Sequence, residues 1–549
     1  MTPEPLTTKA PSLGTQVSRA VIWNVLFVPL RMIAEVVATL LKLSVLTPIS
    51  YGILSLISST NNLLGTWIDL GTGRALPKFI PETLRAGGPR AVTRLLLAAL
   101  GGQVALLLAL GTALVALRER YLTYLSGLVT QSAASAADQS RLIQFINQSN
   151  WLLIGAILAV LLFGIFYDVL MAYLSSFFKQ RAWNSISLAA QLLPPLLTAA
   201  VILAGWDIAG VLAVMVFAPA VATALVAWQV YRSWILDFGF WIEEPQIEHP
   251  KSKIQNWVPA GFARYCGVSF LMTATDFLAS AGFAAFFADN ALEIAVLMAG
   301  VNIVRVVLSY LYTPMVGVQV PLFTRVRQGE GGTLQGAYQS LIRLQVLLLV
   351  PGGVGLLLLA RPVFGLLRPE YVAAAPLVWV LVPCLFLESL LTTAHNALIV
   401  YEHLRIIVIS RLLTLICVPL VVLLFPLLGV LGAALAFGVA RVLAGVWVTA
   451  NGYRLLGLRW PWRFTLRVAL ATATMALVVG LLGTFLALPA ADARGWARLW
   501  TLPPMLAVAG AGGAVFLLAL RLLGGFDPQD RKQLAQMKLP AKRWLLRVL

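Results

Sequence analysis

Fourteen apolar runs, most of them about 20 residues or longer and so able to cross roughly 30 Å of hydrocarbon, leave this chain few ways to fold. They fall near 18–43, 51–73, 92–117, 150–178, 184–204, 209–231, 258–287, 291–318, 338–359, 372–400, 406–426, 427–451, 464–488 and 499–523. Inside a bilayer no water is available to the backbone, so each run is expected to satisfy its own N–H and C=O groups as a helix. Of the 549 residues 60% are hydrophobic and only 11% charged, which excludes a soluble globular protein. The expected fold class is an all-α polytopic membrane protein with about 14 transmembrane helices. Cys266, Cys384 and Cys417 lie within apolar runs, so neither a disulfide framework nor a metal site is expected. The first run is too long for the core of a cleaved leader and is read as span 1.

An even number of spans puts both termini on one side. With that side cytoplasmic, lysine and arginine concentrate in the inner segments, as topology requires. The net charge of +18 is then a topology signature. It implies contact with anionic membrane lipid and no nucleic-acid partner. Two long connections stand out: a polar outer segment at 118–149 and a mixed-charge inner segment at 232–257. The second divides the chain into an N-terminal half at 1–231 (spans 1–6), a cytoplasmic linker at 232–257 and a C-terminal half at 258–451 (spans 7–12). Spans 13 and 14 follow at 452–523. A basic tail at 524–549, expected as a cytoplasmic interfacial helix, ends the chain.

The halves carry a shared register. Leu76-Pro77-Lys78-Phe79 lies against Val320-Pro321-Leu322-Phe323, and Gly87-Gly88 against Gly331-Gly332, with the same offset at both places (321 − 77 = 244 and 331 − 87 = 244). Two markers in one register imply a duplicated unit. Six spans separate the copies, so they are parallel six-helix repeats, a binding site is expected between them, and the last two helices stand outside the duplication.

The run YGILSLISSTNNLLGTWIDLGTGRALPKFIPE at 51–82 resembles the second span and first cytoplasmic loop of polysaccharide-biosynthesis flippases. These are the Wzx-type O-antigen and exopolysaccharide transporters of the MOP superfamily, whose relatives include the lipid II flippase MurJ and the MATE exporters. The resemblance implies a bacterial inner-membrane protein that moves undecaprenyl-pyrophosphate-linked glycan to the outer leaflet by alternating access through a cationic central cavity. It implies V-shaped halves, lining by spans 1, 2, 7 and 8, and a polysaccharide polymerase or ligase as partner. A monomer is expected, with no cofactor beyond a coupling ion, H+ or Na+.

Ionisable residues within spans are costly and so are functional candidates. Arg31 and Glu35 share a face of span 1, Asn61 and Asn62 sit in the middle of span 2, and Arg264 and Asp276 lie in span 7. Asn302 and Arg305 lie in span 8. A diphosphate calls for permanent, forked cations, which arginine supplies. Arg31, Arg264 and Arg305, with the three asparagines, are the candidate substrate-binding set. Arg74 and Lys78, after the weakened inner end of span 2, are candidate entrance residues or a topological stop. The arginines could instead pair structurally, Arg31 with Glu35 and Arg305 with Asp276. Glu35, Asp69, Asp168, Asp276 and Glu388 are candidate coupling carboxylates, with Asp69 also suited to capping a helix. Arg411, Arg441 and His395 are further intramembrane groups, His395 being read as a packing residue.

An enzyme is not expected. No paired-acid loop for glycosyl transfer is present, and only His395-Asn396 suits an intramembrane acyltransferase. No G-x-x-x-x-G-K-[ST] phosphate loop is found either. The remaining alternatives are a lipid II flippase, which needs the same cavity chemistry, and an ion-coupled exporter of cationic drugs, which would favour an acidic or aromatic one.

Overall fold

The computed structural model describes residues 39–485 and 502–524, apart from 41, 134, 178, 207, 239–258, 260 and 330–331. Arg31, Glu35, most of span 1, most of the linker and the tail at 525–549 lie outside the described residues.

Every described element is helical, and no strand occurs among the described residues. The elements are α1 (Pro48–Asp69), α2 (Thr72–Ala116), α3 (Arg118–Thr130), α4 (Ala136–Gln148), α5 (Asn150–Ser176), α6 (Gln180–Leu203), α7 (Ile208–Phe238) and α8 (Phe262–Leu278). After a short helical turn come α9 (Ala291–Arg327), α10 (Leu334–Leu367), α11 (Ala375–Val400), α12 (Leu404–Leu413), α13 (Cys417–Leu428), α14 (Val430–Leu456), α15 (Trp462–Phe485) and α16 (Leu502–Leu522). Among the described residues, 11 helical stretches are long and apolar enough to span a membrane, or 12 with the bent pair Phe262–Leu278 and Ala281–Phe287. One stretch, Pro48–Ala116, is far longer than a single crossing needs and covers two of the expected spans.

Breaks in these helices follow from local chemistry. Between α1 and α2 the backbone turns left-handed at Leu70 (φ 47) and Gly71 (φ 75). Gly71 is required there for a second reason, since a Cβ would collide with the Cys266 carbonyl and the Phe270 amide of α8. The short turn after α8 starts at Ser280, whose hydroxyl accepts from the Phe283 amide. α9 starts at Asn290, whose side chain accepts from the Glu293 amide at 2.9 Å.

The repeat register survives in three dimensions. Gly88 (φ 69) bends α2, and Gly332 (φ 102) precedes the Thr333 cap of α10, again with an offset of 244 (332 − 88). Phe79 and Phe323, also 244 apart (323 − 79), are both buried. The copies differ at the break between α1 and α2, because α9 runs on through the equivalent positions.

The outer segment at 118–149, read as a polar connection, instead contains the two helices α3 and α4. Their buried residues explain this: Leu122, Leu125, Leu128 and Val129 recur at helical spacing, as do Leu142 and Ile146. High polarity masked a narrow apolar stripe.

Contacts divide the chain into two units that each draw on both sequence halves. Unit 1 holds residues 60–126 and 141–274, and unit 2 holds 39–59, 127–140 and 275 onwards. Both α1 and α8 are therefore shared lengthwise between units. In unit 1, Leu76, Phe79 and Ile80 of α2 pack with Val169 and Ala172 of α5 and with Phe262 and Cys266 of α8. In unit 2, α11 packs along α14, and α15 pairs with α16. There the Ser132 hydroxyl accepts from the Ala291 amide at the start of α9. Gly52 of α1 meets the Ala291 backbone so closely that any Cβ would collide.

Gly71→Ala should lower the melting temperature in detergent by several degrees. The left-handed backbone alone costs about 1–2 kcal/mol, before any collision with α8. Gly480→Ala in α15, where a Cβ meets nothing within 4 Å, should leave the melting temperature unchanged or slightly raised.

Candidate functional site

In unit 1 the polar residues gather where α1 gives way to α2. The Asp69 carboxylate accepts from the Gly73 amide at 2.9 Å and the Thr72 hydroxyl at 3.0 Å, with the Gln103 amide at 3.4 Å. It therefore serves the open amides of the first turn of α2, where a negative charge also meets the positive end of the helix. Asp168, on α5, lies within electrostatic range of Asp69.

With α2 anchored this way, Arg74 and Lys78 fall one turn apart on its exposed face. The Lys78 ammonium lies 4.8 Å from the ring centroid of Tyr265 and 5.0 Å from that of Phe79. Phe79 in turn meets Phe262 and Tyr265 edge to face, at 5.4 and 5.9 Å. This aromatic layer joins α2 to α8 and puts the exposed Arg264 beside the lysine's own ring partner. Three cations from two helices thus share one end of unit 1, with Glu82 one turn beyond Lys78 on α2. Deeper in α1, Asn62 is exposed and Asn61 is buried. Both amide atoms of Asn61 are without a hydrogen-bond partner among the described residues.

Unit 2 holds the other candidates. The Asn302 amide donates to the Tyr51 hydroxyl at 2.7 Å, and the Tyr51 ring sits edge-on to Tyr371 at 6.1 Å. Arg305, one turn along α9 from Asn302, is exposed, with its guanidinium 5.9 Å from the Phe437 ring centroid. Asp276 and Glu388 are each engaged by an arginine from another helix: Arg411 donates to Asp276 at 2.6 Å, and Arg441 to Glu388 at 2.9 Å. Glu388, His395, Arg411 and Arg441 line one cavity of about 80 Å³. Among the described residues no cluster of His, Cys, Asp and Glu is arranged to hold a metal.

The candidate set is thus distributed. Arg264 groups with the entrance residues Arg74 and Lys78 in unit 1, whereas Asn302 and Arg305 belong to unit 2; Arg31 and Glu35 lie outside the described residues. Of the aromatic partners, Phe79 entered the sequence reading only as a repeat marker and Tyr265 not at all, since Phe and Tyr in apolar runs carry no distinguishing signal. Arg411 and Arg441 stood out as intramembrane charges, but their partners depend on which helices pack together.

The ion pair Glu388–Arg441 invites a double-mutant cycle. Glu388→Gln alone should destabilise the protein by about 3 kcal/mol, because it leaves a guanidinium unpaired in the membrane region. Glu388→Gln with Arg441→Gln should cost clearly less than the two single changes added together, as read from melting temperatures in detergent.

No family model matches the sequence, and no curated protein matches it. Solved structures do match in fold. The lipid II flippase MurJ in an inward-closed conformation is similar at 11% identity, covering 90% of this chain and 98% of that one, with a TM-score of 0.62. The MATE multidrug transporter DinF-BH is similar at 16% identity, covering 81% and 96%, with a TM-score of 0.51. An inward-facing multidrug resistance MATE family transporter of the MOP superfamily is similar at 13% identity, covering 78% and 94%, also with a TM-score of 0.51. The chain is a multi-pass membrane protein with the fold that MurJ and the MATE transporters of the MOP superfamily share.

Proposed function

We propose that this protein is a flippase that carries undecaprenyl-pyrophosphate-linked oligosaccharide from the inner to the outer leaflet of the bacterial cytoplasmic membrane. The observation that carries the reading is the grouping of Arg74, Lys78 and Arg264 at one end of unit 1. A diphosphate entering there meets three cations that can replace part of its hydration, two of them guanidiniums able to grip it through two parallel hydrogen bonds. The ring of Tyr265, exposed beside the lysine, also offers an apolar face to a sugar. Asn62, exposed on α1, supplies an amide for hydroxyl groups.

The topology expected from the sequence puts this end of unit 1 at the cytoplasm, the side on which the substrate must be collected. Binding there drives transport only if the head group is held differently in the inward-open and outward-open states. No nucleotide-binding motif is present, so the energy is assigned to an ion gradient, the membrane potential or the substrate gradient. Lipid II, the substrate named for MurJ, carries the same diphosphate and is the second reading. Multidrug transport is named for the MATE neighbours. For a cationic drug it is disfavoured here by three cations at the entrance, which would repel such a ligand.

Proteoliposomes containing a fluorescent undecaprenyl-pyrophosphate oligosaccharide provide the test. Wild type should translocate it, and Arg74→Ala, Lys78→Ala and Arg264→Ala should each slow transport about tenfold or more, equivalent to losing a charge-assisted hydrogen bond of about 1.5–3 kcal/mol. Raising salt should weaken wild-type uptake and affect the variants less. Unchanged transport in all three variants would remove the cationic entrance; transport of a cationic dye instead would move the protein to the drug exporters.

A further inference from the structure

Between Glu402 and Asp492 the sequence carries seven arginines, no lysine and no acid. Four of these arginines, Arg454, Arg459, Arg463 and Arg467, crowd the connection from α14 to α15 in unit 2. The connection is built rather than loose. Gly457 closes α14 in the left-handed region (φ 64). The Gln335 side chain, from the first turn of α10, holds the Arg459 backbone twice, accepting from its amide at 2.8 Å and donating to its carbonyl at 3.0 Å. Gln339 donates to the same carbonyl at 3.3 Å, and the Trp460 indole donates to the Thr465 hydroxyl at 2.8 Å. Arg467 donates to the Gly524 carbonyl just past α16 at 2.7 Å. Around this fixed backbone Arg454, Arg459 and Arg463 are exposed.

Among the described residues, no acid on the surrounding helix ends neutralises these three cations. Arg454 sits in the last turn of α14, where a positive charge is favoured. Arg463 sits in the first turn of α15, where it opposes the helix dipole and no acid accompanies it. The helices packed beside the connection add more positive charge, Arg343 on α10 and Arg521 on α16, and residues 334–343 and 502–524 contain no acid. Glu402, the acid that precedes the run, is held by Arg327 at 2.9 Å. Like charges grouped in this way call for an anion, and guanidiniums on both sides of Trp462 in the chain suit a phosphate.

The adjoining surface identifies the anion. Trp462, 72% exposed, opens a stripe on α15 that continues one turn at a time through Leu466 (62%) and Leu470 (50%). On a membrane-spanning helix such a stripe faces lipid, and a tryptophan at its end marks the level of the head groups. We propose that Arg459 and Arg463, with Arg454, form a binding site for the phosphate of an anionic phospholipid whose acyl chains lie along the Trp462–Leu466–Leu470 stripe. A soluble anion would engage the cations and leave the stripe unused. The segment at 525–549, with six basic and two acidic residues, lacks the complementary charge. By the topology expected from the sequence, this end of unit 2 meets the inner leaflet, where anionic lipid is attracted to basic groups at the ends of spans. The site shares no residue with the entrance cluster in unit 1 and does not rest on the flippase reading.

The full-length protein in detergent micelles can be titrated with phosphatidylglycerol, or with phosphatidylcholine of the same acyl chains, and read by native mass spectrometry. Wild type should retain phosphatidylglycerol about tenfold more tightly or better, as expected for two arginines at a head group. Arg459→Gln with Arg463→Gln should abolish that preference. Arg325→Gln with Arg405→Gln, which removes the same charge from exposed positions on α9 and α12, should leave it intact. Arg459→Lys with Arg463→Lys keeps the charge but loses the fork, and its preference should fall between those of wild type and the glutamine pair. Equal retention of the two lipids by wild type would overturn the proposal. So would the same loss in both glutamine pairs, since general surface charge would then account for the binding. Displacement of phosphatidylglycerol by inorganic phosphate would overturn a lipid as the occupant, and displacement by undecaprenyl-pyrophosphate oligosaccharide would assign the site to that substrate instead. Failure of flipping in proteoliposomes, with the lipid preference intact, would sink the flippase reading alone.

Discussion

Hydrocarbon offers no partner to a polar group, and that single constraint organises this protein. It forces the backbone into helices wherever the chain crosses the membrane, and it makes every charge inside the membrane either paired or functional. The pairs Asp276–Arg411 and Glu388–Arg441 show its effect in unit 2. Four groups, each costly alone, are arranged so that each acid meets a cation from a different helix. Such pairs add little net stability over apolar packing, but losing either member is expensive, so they specify which helices are neighbours.

The same constraint gives meaning to the exceptions. Asn61 is buried with its amide unsatisfied among the described residues, and the cavity near His395 keeps hydroxyls and charges around an open space. Both are places where the fold tolerates a cost that a purely structural helix bundle would avoid. At one end of unit 1 the logic reverses. Arg74, Lys78 and Arg264 are exposed, and the aromatic layer of Phe79, Tyr265 and Phe262 sets how they are presented.

Glycine does related work in the backbone. Gly71 lets α1 and α2 meet α8 at closer range than any side chain allows, and Gly52 does the same for α1 against the start of α9. These contacts lie in different units, the first just past the end of α1 and the second near its start. A helix held by backbone-to-backbone contact can part from its neighbour without unpacking large side chains.

Much of the architecture was legible in the sequence because hydrophobic length and charge bias are one-dimensional signals. The helical class, the run of membrane spans and the repeat register through Pro77 and Pro321 could be read directly, and Gly88 and Gly332 share a left-handed backbone at the same offset. The capping role open to Asp69 was readable too, since its partners Thr72 and Gly73 lie within four residues. The helices α3 and α4 were missed because a narrow apolar stripe is hard to see among polar residues. Pairings between distant segments were beyond reach: nothing near Asp276 points to Arg411, 135 positions away, and nothing near Lys78 points to Tyr265. The sequence by itself determined that the chain spans a membrane as helices, because burial of about 20 consecutive apolar residues admits no other solution. Only the tertiary structure decided which charges neutralise one another and which are presented at an exposed face, because that depends on how helices far apart in the chain are brought face to face.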